Sequence, residues 1–338
     1  MATIKDLAAM TGYAVGTVSR VLNNQPNVSD KARAAILQAV EESGFQLNQN
    51  AKQLKQARPT SILVVVKGTF NEMFAQMVET IQTTVAKTSY PLYVDYLDES
   101  ENEVLRAVQL CREKKPLGIL FLGGNRENFR SDFFKIDIPC VLVTGDGSGL
   151  EFDNLSSVFT DDDESVRQAL EGLIDMGHRR FAVIGGDPDL SDTSRIRYES
   201  CLSTFRDRGI EFDGELDYRS VRYSYQGGYQ GAASLLEAGR TFTALFAASD
   251  VMAIGAIRAL NDAGLKVPED VSVMGYDGLL LGDFMVPRLS TVSQSVDTIA
   301  RRAVELLLDS VQHGNGAYHE RIPFALMYRG STCPKKEQ

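Results

Sequence analysis

Arg20 lies one helical turn beyond Ala14-Val15-Gly16-Thr17. In a helix, that spacing sets one guanidinium beside two small apolar side chains and a residue with no side chain at all. A guanidinium can donate two parallel hydrogen bonds to O6 and N7 of guanine, and Ala14 or Val15 can touch a thymine methyl. Gly16 reads nothing itself but admits close approach. The other reactive side chains suggest less. Cys111, Cys140, Cys201 and Cys333 are far apart with no Cys-x-x-Cys pair, and His178, His313 and His319 are equally scattered. Zinc needs three or four clustered nitrogen or sulfur donors, so neither a metal nor a cofactor is expected. No Ser/His/Asp or Cys/His arrangement stands out, so the chain does not read as an enzyme. Gly145-Asp146-Gly147-Ser148-Gly149 lacks the Lys and the following helix that a phosphate loop needs, and reads as a surface turn. Asp161-Asp162-Asp163-Glu164 reads as a helix start stabilised by the helix dipole, not as a metal site.

The elements that would hold Arg20 are short helices. Thr3-Ile4-Lys5-Asp6 resembles a capping box, and Ile4, Leu7, Ala8 and Met10 then suggest one apolar face. Gly12 interrupts it. Val15, Val18, Val21 and Leu22 follow at helical spacing, and Asn23-Asn24 ends this second helix. Ser29 can cap a third, with Ala32, Ala35, Ile36, Ala39 and Val40 on one face and Gly44 as its left-handed stop. Two helices joined at a tight glycine turn, braced by a third, form a helix-turn-helix unit whose second helix enters the major groove. Charge agrees with this reading. The first sixty residues hold seven Lys or Arg against four acids, whereas the remainder holds 28 against 41. A basic head on an acidic body suggests that the head alone meets a polyanion.

Beyond residue 60, apolar strands alternate with amphipathic helices. Ile62–Val66, Leu92–Tyr96, Gly118–Leu122, Cys140–Val143, Phe181–Ile184, Ala244–Ala247 and Val271–Met274 read as buried strands, and Phe74–Val85, Ser165–Met176 and Asp250–Ala263 as helices. Such alternation means α/β architecture with a parallel sheet wound on both faces, and ligands bind beyond the carboxyl ends of its strands. At 338 residues the chain suits two or three domains. Its longest apolar runs are about six residues where a membrane span needs about 20. With no apolar run at the N-terminus and no cysteine framework, the expected compartment is the cytoplasm.

The string Ala2-Thr3-Ile4-Lys5-Asp6-Leu7-Ala8, Gly12 and Thr17-Val18-Ser19-Arg20-Val21-Leu22-Asn23 resembles the LacI/GalR family of bacterial transcriptional regulators. So does Gly44-Phe45-Gln46-Leu47-Asn48-Gln49-Asn50-Ala51-Lys52-Gln53-Leu54-Lys55, which is similar to the family's hinge helix. Further matches run through Asn71 with Phe74-Ala75, Gly118-Ile119-Leu120, Gly177-His178-Arg179, Arg197, Gly209-Ile210, Ser249-Asp250-Val251-Met252-Ala253-Ile254-Gly255-Ala256, Gly264 through Asp277, and Pro287-Arg288-Leu289-Ser290-Thr291-Val292. There are departures. The family's usual Val-Ser pair is Tyr13-Ala14, so a capping hydroxyl is missing. Leu47 replaces a usual Pro, Met73 a common aromatic, and Gly278 a usual Asp or Asn.

The resemblance implies a helix-turn-helix DNA-binding domain at 1–46, a hinge helix at 47–58, and a type I periplasmic-binding-protein-like effector and dimerisation domain at 59–338. That last part would hold two doubly wound parallel-sheet subdomains, about 59–161 with 293–322 and about 162–292 with 323–338. DNA contacts would fall on Thr3, Ala14, Val15, Gly16, Thr17, Ser19, Arg20 and Asn23, and in the hinge on Ala51, Leu54 and Lys55, with Leu54 as a minor-groove wedge. Met73, Phe74, Arg197, Tyr223, Asp250 and Asp277 would line the effector cleft, joined by Thr193 and Phe284. Gly124 and Thr160 fall where the family often places polar contacts. The implied partners are palindromic operator DNA, a second copy of the chain as a homodimer, and a small-molecule effector, by family frequency a sugar. A regulator answering to a nucleobase, and a cytoplasmic solute receptor without a DNA role, are the alternatives. No membrane partner is expected.

Overall fold

The computed structural model describes residues 4–22, 28–43, 61–68 and 71–335. The chain divides into two units, Met1–Pro59 and Thr60–Gln338. In the first, α1 (Ile4–Thr11), α2 (Val15–Leu22) and α3 (Asp30–Ser43) form the expected trio. Gly12 takes φ +72° between α1 and α2, a left-handed turn that L side chains resist. Leu7, Val18, Val21, Ile36 and Ala39 make one small core. Ser29 Oγ accepts from the Ala32 amide at 3.4 Å at the start of α3. Met10, expected on the apolar face, is 56% exposed, because Leu7 already occupies the position that faces α2 and α3. The expected cap at Thr3, the stops at Asn23-Asn24 and Gly44, and the hinge at 47–58 lie outside the described residues.

The second unit is built on two six-stranded sheets. In the first, β1 (Ile62–Lys67), β2 (Leu92–Leu97), β3 (Gly118–Leu122), β4 (Cys140–Val143), β5 (Leu155–Phe159) and β11 (His319–Arg321) lie in the order β11-β5-β4-β3-β1-β2, all parallel. In the second, β6 (Phe181–Gly185), β7 (Tyr218–Ser220), β8 (Ala244–Ala247), β9 (Ser272–Asp277), β10 (Ser290–Gln294) and β12 (Phe324–Met327) lie in the order β12-β10-β9-β8-β6-β7. Here β12 alone runs antiparallel, against β10. Each sheet with its helices is called a lobe below.

Strand periodicity explains the layers. Ile62, Val64 and Val66 face one way and join α4 (Glu72–Val85) and α12 (Val296–His313). Leu63 and Val65 face the other way and join α5 (Glu103–Lys114), together with Phe129 of α6 (Arg126–Asp132) and Phe133. The second lobe repeats the plan. Ala182 and Ile184 pack on α9 (Tyr225–Glu237) and α10 (Asp250–Asp262), while Phe181 and Val183 pack on α7 (Asp162–Asp175) and α8 (Asp192–Asp207). Alternate residues on both faces are apolar because both faces are covered, as parallel sheets require. Helices α9 and α10 approach backbone to backbone: a Cβ on Gly255 would stand 2.0 Å from the Tyr225 carbonyl oxygen.

The chain passes between the sheets three times, after β5 at Thr160-Asp161, after β10 at Ser295 and after β11 at Ile322-Pro323. The second passage falls beyond the expected residue 292, because β10 stays paired with β12 through Gln294. Strand β5 escaped the hydropathy reading because of Ser156 and Ser157. Both are buried and satisfied: Ser156 Oγ accepts from the Tyr318 amide, and Ser157 Oγ meets the Gly147 amide and His319 Nδ1. Gly147 is therefore buried against β5, while Ser148 and Gly149 of the same turn are exposed. Asp161 caps α7 as expected, accepting from the Glu164 amide at 3.1 Å.

Candidate functional site

On α2, Val18 and Val21 are buried, which turns the opposite side outward. Ala14, Val15, Gly16 and Arg20 are exposed there, with Val15 at 46%. A Cβ on Gly16 would meet nothing within 4 Å. Thr17 and Ser19 are half-buried at the flanks. The Ala14 carbonyl accepts from the amides of Thr17 and Val18, and Ala14 itself brings no hydroxyl to cap the helix start. Exposed apolar residues flanking one guanidinium on a short helix form a surface suited to a groove of duplex DNA. Thr3, Asn23, Ala51, Leu54 and Lys55 lie outside the described residues.

In the second unit, a cavity of about 720 Å3 opens between the lobes at the carboxyl ends of the strands. Met73, Phe74, Thr193, Arg197, Tyr223 and Asp277 all line it. Asn71 positions the first two by capping α4, its Oδ1 accepting from the amides of Met73 and Phe74. Arg197, on α8, is held from three sides. Its Nε and Nη2 each lie 2.8 Å from Asp162 Oδ1, its Nη1 donates to the Ala248 carbonyl at 2.6 Å, and its plane rests 3.5 Å from the Tyr276 ring centroid. Tyr276 in turn donates to Asp162 at 2.8 Å. A planar donor fixed this way presents its remaining N–H groups in a defined direction. The Tyr223 hydroxyl meets Ser194 Oγ at 3.1 Å.

Asp277 ends β9 with φ +116°, and Thr144, across the cavity, takes φ +76°. Both are conformations that side-chain-bearing residues avoid, and such strain gathers at functional sites. Gln294 Nε2 donates to Asp277 Oδ1 at 3.0 Å. Burial, partly offset by the nearby Arg197 charge, pushes the Asp277 carboxyl up to about 8.

Two expected residues are elsewhere. Asp250 does not line the cavity. It is fully buried and accepts from Thr291 Oγ1 at 2.7 Å and from the Gly278 and Leu279 amides at 2.8 and 2.6 Å. Its role is to fix the loop that follows Asp277. Phe284 is 76% exposed and off the cavity wall, because α11 (Leu281–Phe284) is a single turn lying outside the strand ends. Conversely, Lys67, Thr144, Asp187, Ser194, Arg222 and Tyr225 line the cavity and were not expected there. The position of Lys67 and Thr144 directly at strand carboxyl ends was the signal available for them. A neighbouring hollow of about 130 Å3 shares Gly124, Thr144 and Thr193 with the main cavity. Among the described residues, Thr160 Oγ1 and Arg126 Nε, on its lining, are buried without hydrogen-bond partners.

The lobes are bridged around the cavity mouth. Arg222 pairs with Asp98 and, at 2.9 Å, with Glu99. Tyr225 donates to Glu72 at 2.6 Å, and Asn125 donates to the Asp189 carbonyl at 3.0 Å. At the hinge side, Gln294 Nε2 also lies 3.2 Å from Met73 Sδ. Among the described residues, no helix is long and apolar enough to cross a membrane, and no group of three or more His, Cys, Asp or Glu could hold a metal ion.

A helix-turn-helix unit joined in one chain to a two-lobed, ligand-sized cleft defines a class: transcriptional regulators with a DNA-binding head and an effector-binding body. Comparison with known proteins gives the family. Residues 3–48 match "Bacterial regulatory proteins, lacI family" and residues 170–332 match "Periplasmic binding protein-like domain". The HTH-type transcriptional regulator MalR of Clostridium butyricum is 33% identical, over 97% of this chain and 98% of its own length. The ribose operon repressor of Haemophilus influenzae is 29% identical over 95% and 96%. Among solved structures, the transcriptional regulator CelR in complex with cellobiose has a TM-score of 0.70 at 27% identity, covering 98% of this chain and 100% of its own. The lac repressor dimer bound to operator has a TM-score of 0.71 at 24% identity, covering 98% and 99%, and shares the fold. The chain belongs to the LacI family of bacterial regulatory proteins.

Proposed function

We propose that this regulator is a cytoplasmic repressor that binds a palindromic operator as a homodimer, under the control of a sugar-like effector held in the interlobe cavity. Two copies related by a two-fold axis present two α2 helices to two half-sites. Arg20 reads a guanine, and Ala14, Val15 and Gly16 lie against neighbouring base edges. In the cavity, Phe74 and Tyr223 offer aromatic faces, while Arg197 and Asp277 offer a donor and an acceptor from the second lobe. That combination suits a polyhydroxylated ring, whose C–H face stacks and whose hydroxyls take paired hydrogen bonds. The cellobiose held by the related CelR supports a saccharide. Effector binding that favours one lobe arrangement must change operator affinity by the same coupling free energy.

The observation that carries this reading is the convergence of Phe74, Arg197, Tyr223 and Asp277 on one cavity in a chain that also bears the α2 surface. Electrophoretic mobility shift on the protein's own promoter, with and without saccharides, tests it. Retention of a palindromic fragment that is lost on deletion of residues 1–58, and altered by a saccharide, is the expected result. Indifference to every promoter fragment would refute it.

A further inference from the structure

Resting on the reading of the cavity as the effector site, we propose that Lys67 selects an effector bearing an anionic oxygen substituent, a carboxylate or a phosphate, on a sugar-like body. Lys67 closes β1, a strand otherwise made only of apolar residues, and it lines the cavity. Its side chain is 6% exposed and its ammonium lies 2.8 Å from Glu103 Oε2. Glu103 is fully buried and also accepts from the Asn125 amide at 2.7 Å and from Asn128 Nδ2 at 2.9 Å. An ion pair buried this deeply stabilises a fold no better than apolar residues of the same volume, so its place on a binding wall points to use of the charge.

Glu103 takes one of the three N–H donors of the ammonium. The other two would serve a molecule in the cavity. The carboxylate, itself held by two further donors, fixes where the ammonium stands. Gly123 keeps the neighbouring surface continuous. A Cβ there would come within 3.1 Å of the Phe74 ring and 3.7 Å of Lys67 Cβ. Phe74 and the stem of Lys67 therefore flank the same backbone at Gly123, on the first-lobe wall of the cavity. A ring lying on Phe74 would direct one substituent at Lys67. An ammonium is a compact and strongly hydrated point charge, and stripping its water is best offset by an opposite charge. A neutral hydroxyl would be served as well by an uncharged side chain. Of the acids on the lining, Glu99 is tied to Arg222, Asp187 is exposed to water, and Asp277 stands on the second lobe, bonded to Gln294.

Isothermal titration of the full-length protein tests the inference, with glucuronate, galacturonate and glucose 6-phosphate set against glucose and galactose. At least one acidic sugar should bind about tenfold or more tightly than its neutral parent, the scale of a hydrogen bond to a charged group. The uronates and the phosphate ester separate a carboxylate from a phosphate. Lys67→Met combined with Glu103→Gln removes both buried charges together and leaves neither unpaired. In that variant, checked for folding by circular dichroism, the preference should vanish. Lys67→Arg should retain it. Neutral parents binding as tightly as their acids, or a preference that survives the double substitution, would overturn the role of Lys67 and leave the effector cavity standing. Binding of no sugar of either kind would overturn both.

Discussion

The guanidinium of Arg222, on the second lobe, reaches across the cavity mouth to Glu99 of the first at 2.9 Å, and pairs with Asp98 beside it. These charges are accessible to water and salt, so the bridge acts as a weak latch whose strength depends on ionic strength. Arg222→Ala should therefore speed effector release by no more than a few-fold, with little change in thermal stability. The same acceleration should appear in wild type at about 1 M salt, where screening acts within about 3 Å. Surface plasmon resonance on immobilised protein measures the rate. Release that is identical in both proteins at every salt concentration would show that the bridge does not gate the cavity.

Arg197 and Asp162 form a pair of another kind, with side chains only 5% and 6% exposed. Removing one partner leaves a buried charge alone. Arg197→Ala should destabilise the second unit by about 3–5 kcal/mol, measured by urea denaturation. Arg197→Ala combined with Asp162→Asn should recover part of that loss. A single variant within 1 kcal/mol of wild type would mean that water solvates Asp162 freely.

Asp277 is expected to give effector binding a pH dependence. Burial raises its carboxyl to about 8. A polyol that donates to the carboxylate binds the ionised form. Affinity should then rise with pH, by up to about tenfold per unit below 8, and level off above it. Titration calorimetry from pH 6 to 9 measures the trend. Asp277→Asn should flatten it and weaken binding, whereas a flat profile in wild type would remove Asp277 from direct contact with the ligand.

On α2, Arg20→Ala should weaken operator binding by about 1–3 kcal/mol and relax the base preference at one position of each half-site. Equal weakening across all sequences would instead place Arg20 on phosphate.

The contact between α9 and α10 can be tested through Gly255. Its Cβ would stand 2.0 Å from the Tyr225 carbonyl, a backbone atom that cannot rotate away. Gly255→Ala should cost about 1–3 kcal/mol, as overpacking of a close helix contact does. It should also disturb Tyr225 and its bond to Glu72 at the cavity mouth. Unchanged unfolding would show that the helices separate at little cost.

Much of this protein can be read along the chain. The three-helix head follows from local signals: apolar spacing in α2 and α3, the glycine at 12 and the serine at 29. The α/β body follows from short, continuously apolar strands such as Ile62–Val66, each adjoining an amphipathic helix. These are properties of neighbouring residues, and hydrophobic burial acts on them wherever they fall in space. What no local pattern encodes is which distant groups meet. Asp250 looks like a ligand residue in sequence, yet it is drawn inward by Thr291 and two amides and becomes a brace for Asp277. Lys67 looks like the polar end of a strand, until Glu103, thirty-six residues on, takes its ammonium into a buried ion pair beside the cavity. Thr144 and Asp277 acquire their strained backbones only where strand ends from the two sheets face one another. Side-chain identity and spacing thus determined the class of protein, whereas the pairing of charges across long separations, settled by packing of the body, decided which residues line the cavity and which stand behind them.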